Sequence, residues 1–218
     1  MTQVTFCVGA VISPLHRLDR QWAQRGHGVL VRFADDLLAM CRTREEAEAA
    51  LMALREILAE LGLELKDAKT RIVHLKEGGE GVDFLGFHHR WVRANRARHV
   101  QFLARWPSRR AMQHASDRVR EITARERLLL PVEDIVQDLN GYLRGWAGYF
   151  RYGNSARHFN LIEHHAHNRL ALFMAKRHQR SRAYGWRLVT YSSPDRLGLI
   201  SLSGTVVAPR PHRAWRGR

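Results

Sequence analysis

The sequence is poor in cysteine: Cys7 and Cys41 are the only two in 218 residues. Neither has a second Cys or a His at zinc-finger spacing, which excludes a disulfide framework and argues against a structural zinc. Both are read as core residues. Long apolar runs are also missing, since none approaches the roughly 20 residues that a membrane-spanning helix needs. The opening Met1-Thr2-Gln3-Val4-Thr5-Phe6-Cys7 has no basic leader and no clear cleavage site, so no secretory signal is expected. These absences predict an intracellular protein with no membrane partner. There is no internal repeat.

What is present is a globular composition with a lopsided charge. Hydrophobic residues make up 45%, too many for a disordered chain, and the length allows one or two domains with a real core. The formal net charge is +15. Residues 1–90 hold 12 Lys+Arg against 13 Asp+Glu, while residues 91–218 hold 24 against 8. The basic excess therefore lies entirely in the second part and is almost all arginine. Arginine forks onto phosphates and stacks on bases better than lysine does, so the second part reads as a polyanion-binding surface.

In the first part, the stretch from Val29 to Cys41 (VLVRFADDLLAMC) consists of two short apolar runs around adjacent carboxylates. It predicts a β-hairpin with Asp35 and Asp36 at its tip. Two readings of that pair are open at this point: a turn that solvates the hairpin end, and two ligands for hard cations. Before the hairpin, residues 4–12 form an apolar run and residues 18–26 a brief helical piece. After it, Thr43-Arg44-Glu45-Glu46 is a capping box. It opens a helix with an apolar stripe at Ala47, Ala50, Leu51, Leu54, Ile57, Leu58 and Leu61, stopped by Gly62. Leu63-Glu64-Leu65 and Arg71 to Leu75 are predicted strands on either side of a charged turn with Lys69. Gly78-Gly79-Glu80-Gly81 is a loop, and Phe84-Leu85-Gly86-Phe87 is taken as the beginning of a further strand. A helix covering one sheet face gives an α+β fold class.

From Trp106 the sequence turns helical and basic. Helices are predicted over about 107–127, 131–151 and 156–180, forming a small bundle. Met112, Ala115, Val119 and Ile122 point inward on the first, with Val132, Ile135, Leu139, Leu143 and Trp146 on the second. Phe159, Ile162, Leu170 and Phe173 do so on the third. Outward faces carry Arg109, Arg110, Arg118, Arg120, Arg144, Arg151, Arg157, Lys176, Arg177 and Arg180. Of the aromatics among them, Trp146 and Phe150 have core spacing, whereas Tyr149 and Tyr152 are candidates for stacking on unpaired bases. His164-His165-Ala166-His167 lacks a completing carboxylate or Cys, so a solvated or RNA-facing cluster is preferred to a metal site. The basic end, residues 210–218, is expected to be poorly ordered alone.

These motifs, taken in order, resemble the reverse transcriptase/maturase proteins of bacterial group II introns. Phe33-Ala34-Asp35-Asp36 is similar to the family's YADD, and the 61–65 segment with Lys69-Thr70 is similar to the next palm motif. Phe84-Leu85-Gly86-Phe87 resembles the primer grip, and Gly141-Tyr142-Leu143-Arg144-Gly145-Trp146 with Tyr149-Phe150 resembles the thumb, or maturase, domain. Upstream, Gly9-Ala10-Val11-Ile12-Ser13-Pro14-Leu15 is similar to GGVISPL. The resemblance implies a partial polymerase palm over 1–95, a helical thumb/maturase domain over 96–185 and a basic tail over 186–218. It implies Mg²⁺ held by Asp35 and Asp36 as catalytic and metal residues, and Lys69 near the incoming nucleotide, although Lys69 also suits an ordinary turn. Gly9, Ser13 and Pro14 would meet nucleotide and template, and Leu85 and Gly86 the primer end. Arg109, Arg110, Arg118, Arg144, Tyr149, Arg151, Arg157 and Arg177 would bind RNA. The partners implied are intron RNA, an RNA template and a DNA primer, in the bacterial cytoplasm.

Three departures qualify the resemblance. The family's fingers and its first palm aspartate precede GGVISPL, Cys7-Val8 stands for Pro-Gln and Ala10 for Gly, and a helical segment similar to LLANIYLH is shortened after Leu15. The expectation is a truncated RNA-directed DNA polymerase/maturase, weak or inactive alone and needing its missing portion in trans. The alternative is a stand-alone maturase-like RNA-binding module with the palm remnant as scaffold.

Overall fold

The computed structural model describes residues 2–7, 15–94, 99–190 and 196–207. Gly9, Ser13, Pro14 and the basic end at 210–218 lie outside them. The chain divides into two compact units, 1–104 and 105–218. The first contains β1 (Thr2–Cys7), α1 (Leu15–Arg25), β2 (Val29–Phe33), β3 (Asp36–Cys41), α2 (Arg44–Glu60), β4 (Arg71–His74), β5 (Val82–Phe84) and β6 (Phe87–Arg93). β7 (Gln101–Pro107) leads into the second, with α3 (Arg109–Ile122), α4 (Val132–Phe150), α5 (Ala156–Arg177) and α6 (Arg182–Leu188). The fold is α+β.

In the first unit an antiparallel sheet of order β2-β3-β1-β4 has two different faces. Alternation along β3 sends Leu37, Ala39 and Cys41 to one side, where they bury against Leu18 and Trp22 of α1 and Ala47, Ala50, Leu54, Ile57 and Leu58 of α2. Leu38 points the other way, into a smaller cluster with Val73, Leu75, Val82 and Phe84. The predicted helix 43–61 forms as its caps dictate. The Glu46 amide donates to Thr43 Oγ1 at 3.1 Å, and the Glu46 carboxylate accepts from the Arg42 amide at 2.7 Å. At the other end the Gly62 and Leu63 amides return to the carbonyls of Ala59 and Leu58, with Gly62 at φ +71°. That is a Schellman stop.

Two predicted strands differ. Leu63-Glu64-Leu65 is not a strand, apart from a single bridge at Leu65; both leucines pack on the α1/α2 core. Three residues of alternation suffice to bury two side chains without a ladder. Phe84-Leu85-Gly86-Phe87 does not begin a strand but closes the β5–β6 hairpin, with Phe84 paired to Phe87.

The second unit is built on the predicted inward faces. Ala115, Val119, Ile122, Ile135, Leu139, Leu143, Trp146, Phe150, Phe159, Ile162, Leu170 and Phe173 are buried, while Met112 and Val132 are only half-buried. α3 is shorter than predicted because the Thr123 hydroxyl donates back to the Val119 carbonyl at 2.8 Å, and a 3₁₀ turn at 125–127 follows. α5 stops three residues early, with Gln179 in the left-handed region at φ +52°. Residues 196–207 form an irregular strap across this unit. Asn140 holds it by donating to the Gly198 carbonyl (2.8 Å) and accepting from the Ile200 amide (2.9 Å). Glu163 accepts from the Ser201 hydroxyl and the Leu202 amide, both at 2.9 Å.

Candidate functional site

The pairing of Phe33 with Asp36 leaves Ala34 and Asp35 as a two-residue loop between β2 and β3. Ala34 has φ +53° and Asp35 does not share the left-handed region, the pattern of a type II′ turn. Glycine is the ordinary residue at that first position, and alanine there costs about 1–2 kcal/mol. The turn projects Asp35 into solvent and starts β3 at a half-buried Asp36. Neither carboxylate has a hydrogen-bond or ion-pair partner among the described residues. By alternation Asp36 lies on the Leu38 face, away from both helices. Phe33, directly opposite on the edge strand, is 63% exposed. Arg32 is turned to the helix face, where Asp19 accepts from its Nε and Nη2 at 3.0 and 2.6 Å. That hydrogen bond holds the Arg32 pKa above its ordinary value.

β1 connects this tip to Lys69. Its Cys7 pairs with Asp36 on one side, and its Thr5 with Arg71 on the other. Lys69, two residues before Arg71, therefore lies at the same end of the sheet as Asp36. Lys69 is exposed at the end of a 3₁₀ turn.

The second hairpin packs on the same face as Asp36. Leu85 (φ +50°) and Gly86 (φ +76°) form its loop, both left-handed as in a type I′ turn. The Leu85 side chain rests on the cluster around Leu38, Val73 and Phe84. Beside it a cavity of about 490 Å³ is lined by Arg71, His88, Arg90, Glu80 and the glycines 78, 79 and 81. Asp83 holds the His88 ring through Nδ1 at 2.6 Å. A Cβ at Gly81 would lie 2.3 Å from that ring, so the loop closes on it only with glycine. Sequence reading missed Arg71, His88 and Arg90; the closely spaced glycines were the signal.

In the second unit the predicted RNA-binding side chains fall into groups. Arg109, Arg110, Arg144 and Arg157 are exposed, with no hydrogen-bond or ion-pair partner among the described residues. Arg151 lies 5.4 Å over the Tyr152 ring, and Tyr149 is 54% exposed with its ring edge-on to Phe150. Arg118 pairs with Glu121 at 2.8 Å on an open surface. Arg177 is engaged differently, donating to the carbonyls of Leu128 (2.6 Å) and Leu130 and so fixing the α3–α4 loop. Arg169, unremarked in the sequence, does the same for Thr123, and burial lowers its pKa. The histidines are dispersed by the helix. His167 is buried with Nδ1 donating to the Glu163 carbonyl, His164 faces Asn168, and His165 reaches the Ser116 carbonyl at 3.3 Å. Burial pushes the His165 pKa down. Among the described residues no three His, Cys, Asp or Glu side chains are grouped as a metal would require, and no helix is long and apolar enough to cross a membrane.

The carboxylate-tipped sheet and the basic helical unit are each matched by a separate family model. Residues 8–89 match the reverse transcriptase (RNA-dependent DNA polymerase) family, and residues 112–192 match the group II intron, maturase-specific domain. The chain belongs to the group II intron reverse transcriptase/maturase family. No curated protein matches it.

Proposed function

We propose that this chain is an intron-RNA-binding protein of maturase type whose first unit carries part of a reverse-transcriptase palm. The observation that carries the reading is the contrast between unpartnered cations and unpartnered carboxylates. Arg144 and Arg157 stand free within the segment matching the maturase-specific domain and Arg109 and Arg110 just before it, and free guanidinium groups fork onto phosphates. Binding should be strongly salt-dependent, because each phosphate neutralised releases a counterion.

In the first unit, Asp35 and Asp36 supply hard oxygen donors with no competing cation. Mg²⁺ is commonly held by one or two carboxylates together with substrate phosphates, so the pair fits it. Bound there, Mg²⁺ would supply charge neutralisation at a reacting phosphate and activation of the attacking hydroxyl. Lys69, at the same sheet end, would meet the leaving pyrophosphate. Leu85 and Gly86 would hold the primer end from the Asp36 face, and Gly9, Ser13 and Pro14 the template and incoming nucleotide. The family resemblance assigns a further metal-binding aspartate to a motif without a counterpart in these residues, and residues that act as a unit lose most of their rate together. The 218-residue chain alone is therefore expected to extend primers weakly or not at all.

Two measurements test this. Binding to structured RNA should fall steeply between about 50 and 200 mM salt; no binding at low salt overturns the reading. Robust Mg²⁺-dependent primer extension on RNA, abolished by Asp35→Ala, would instead show that the palm is complete in function.

A further inference from the structure

Resting on the RNA-binding reading, the geometry points to a preformed pocket for one unpaired RNA nucleotide between α4 and the strap. This groove, of about 280 Å³, is floored by Ala147, Gly148, Ile200 and Leu202 and flanked by Arg144 and Arg151. Its size falls just below the range of pockets for drug-sized molecules, which starts at about 300 Å³, and suits a single ring system better than a helix or a strand. An apolar slot beside guanidinium groups is the chemistry used for extruded bases: the ring lies on apolar carbon, and cations take the phosphate or stack on the ring.

Three observations support this occupant. The strap wall is rigidly positioned, because Asn140 and Glu163 each make two hydrogen bonds to residues 198–202. No rearrangement is needed to form the slot. Gly148 is exposed in the last turn of α4, and a Cβ there would meet nothing within 4 Å, as at Gly141 and Gly145 of the same helix; of the three, Gly148 alone lines the groove. Packing inside the protein does not require that glycine, and its bare backbone leaves the helix surface open to a seated base. Finally, Arg144 is a free cation on the same wall, within a half of the chain that is strongly basic. The Ile200 and Leu202 wall lies beyond the maturase-specific match, which ends at residue 192.

The test uses the full chain and fluorescence anisotropy with three labelled RNA probes of equal length: oligoadenylate, the same backbone with abasic residues, and a duplex. Oligoadenylate should bind more tightly than the abasic strand. Gly148→Leu fills the slot while improving helix propensity, so its melting temperature should not fall. It should nevertheless weaken oligoadenylate binding about tenfold and leave the abasic and duplex probes unchanged. Arg144→Gln should weaken all probes and reduce the salt slope by about one. Undiminished oligoadenylate binding by Gly148→Leu, or equal binding of abasic RNA and oligoadenylate by the unsubstituted chain, overturns the pocket while leaving the RNA-binding reading intact. Absence of binding to any probe overturns both.

Discussion

The two units balance charge differently. In the first, acids are numerous enough to match several arginines: Arg32 to Asp19, Arg25 to Glu56 and Glu60, Arg55 to Asp67, Arg93 to Glu77. Most of these pairs are exposed and each contributes little, typically 0–1 kcal/mol. Among the described residues groups of both signs also stand unpaired there: Asp35 and Asp36 at the hairpin tip, and Arg17, Arg20, Arg71 and Arg90 among the cations. In the second unit there are too few acids to go round, and the arginines divide by the oxygen they can reach. Arg177 and Arg169 turn to backbone carbonyls and a hydroxyl and hold loops together. Arg109, Arg110, Arg144 and Arg157 are left to external anions. A count of charges therefore locates the basic half, but only the partners show which cations are available.

The sharpest way to break this comparison is to ask whether the two cores stand separately. Phe159 is fully buried in the second unit and Leu54 in the first. Phe159→Ala should cost about 3–5 kcal/mol and Leu54→Ala about 2–5 kcal/mol. By hydrogen exchange, Phe159→Ala should loosen α3 to α5 and spare the 29–41 hairpin, and Leu54→Ala the reverse. Equal loss in both regions for either variant would show one cooperative core.

A smaller effect separates the two hairpins. Ala34→Gly removes a left-handed alanine and should stabilise the first unit by about 1 kcal/mol, seen as a higher urea midpoint. Leu85→Gly should not, because that leucine also packs on the Leu38 cluster.

The smallest effect is pH-dependent. His165 is half-buried, and burial lowers its pKa in the folded state below the ordinary 6.5. Its neutral form is favoured by folding, so the contribution is present above pH 6.5 and lost as pH falls through the depressed folded value. The melting temperature of the second unit should decline on acidification in that window, and His165→Gln should flatten the decline. An unchanged slope would assign the pH dependence to other groups.

Much of the scaffold was legible in the sequence. The 29–41 hairpin and the helix from Arg44 follow from period and from Thr43, Glu46 and Gly62, all local signals that tertiary packing reinforces. Phe84-Leu85-Gly86-Phe87 misled because leucine between aromatics reads as strand, while its backbone is left-handed at φ +50°. Leu63 and Leu65 misled because alternation reports burial, not ladder formation. The carboxylate pair was legible as a tip, but its placement on the Leu38 face required the register with β2. Arg177 looked like every other surface arginine. Its carbonyl acceptors lie 47 and 49 positions away in sequence, a distance at which no local pattern operates. The strap has no periodicity at all, and its wall of the groove became visible only through Asn140 and Glu163.

The two-residue loop at Ala34-Asp35 has one further consequence, for how the gene can vary. Every residue of β3 alternates between the helix-covered core and the Leu38 face, and β3 is held in register by β1 as well as by β2. A residue gained within the loop can be absorbed as a longer turn, because the β1 ladder still fixes which side chains of β3 are buried. A residue gained or lost within β3 itself cannot: it would put a carboxylate or a surface residue in the space of the fully buried Leu37. The tip is therefore free to vary in length where the strand behind it is not.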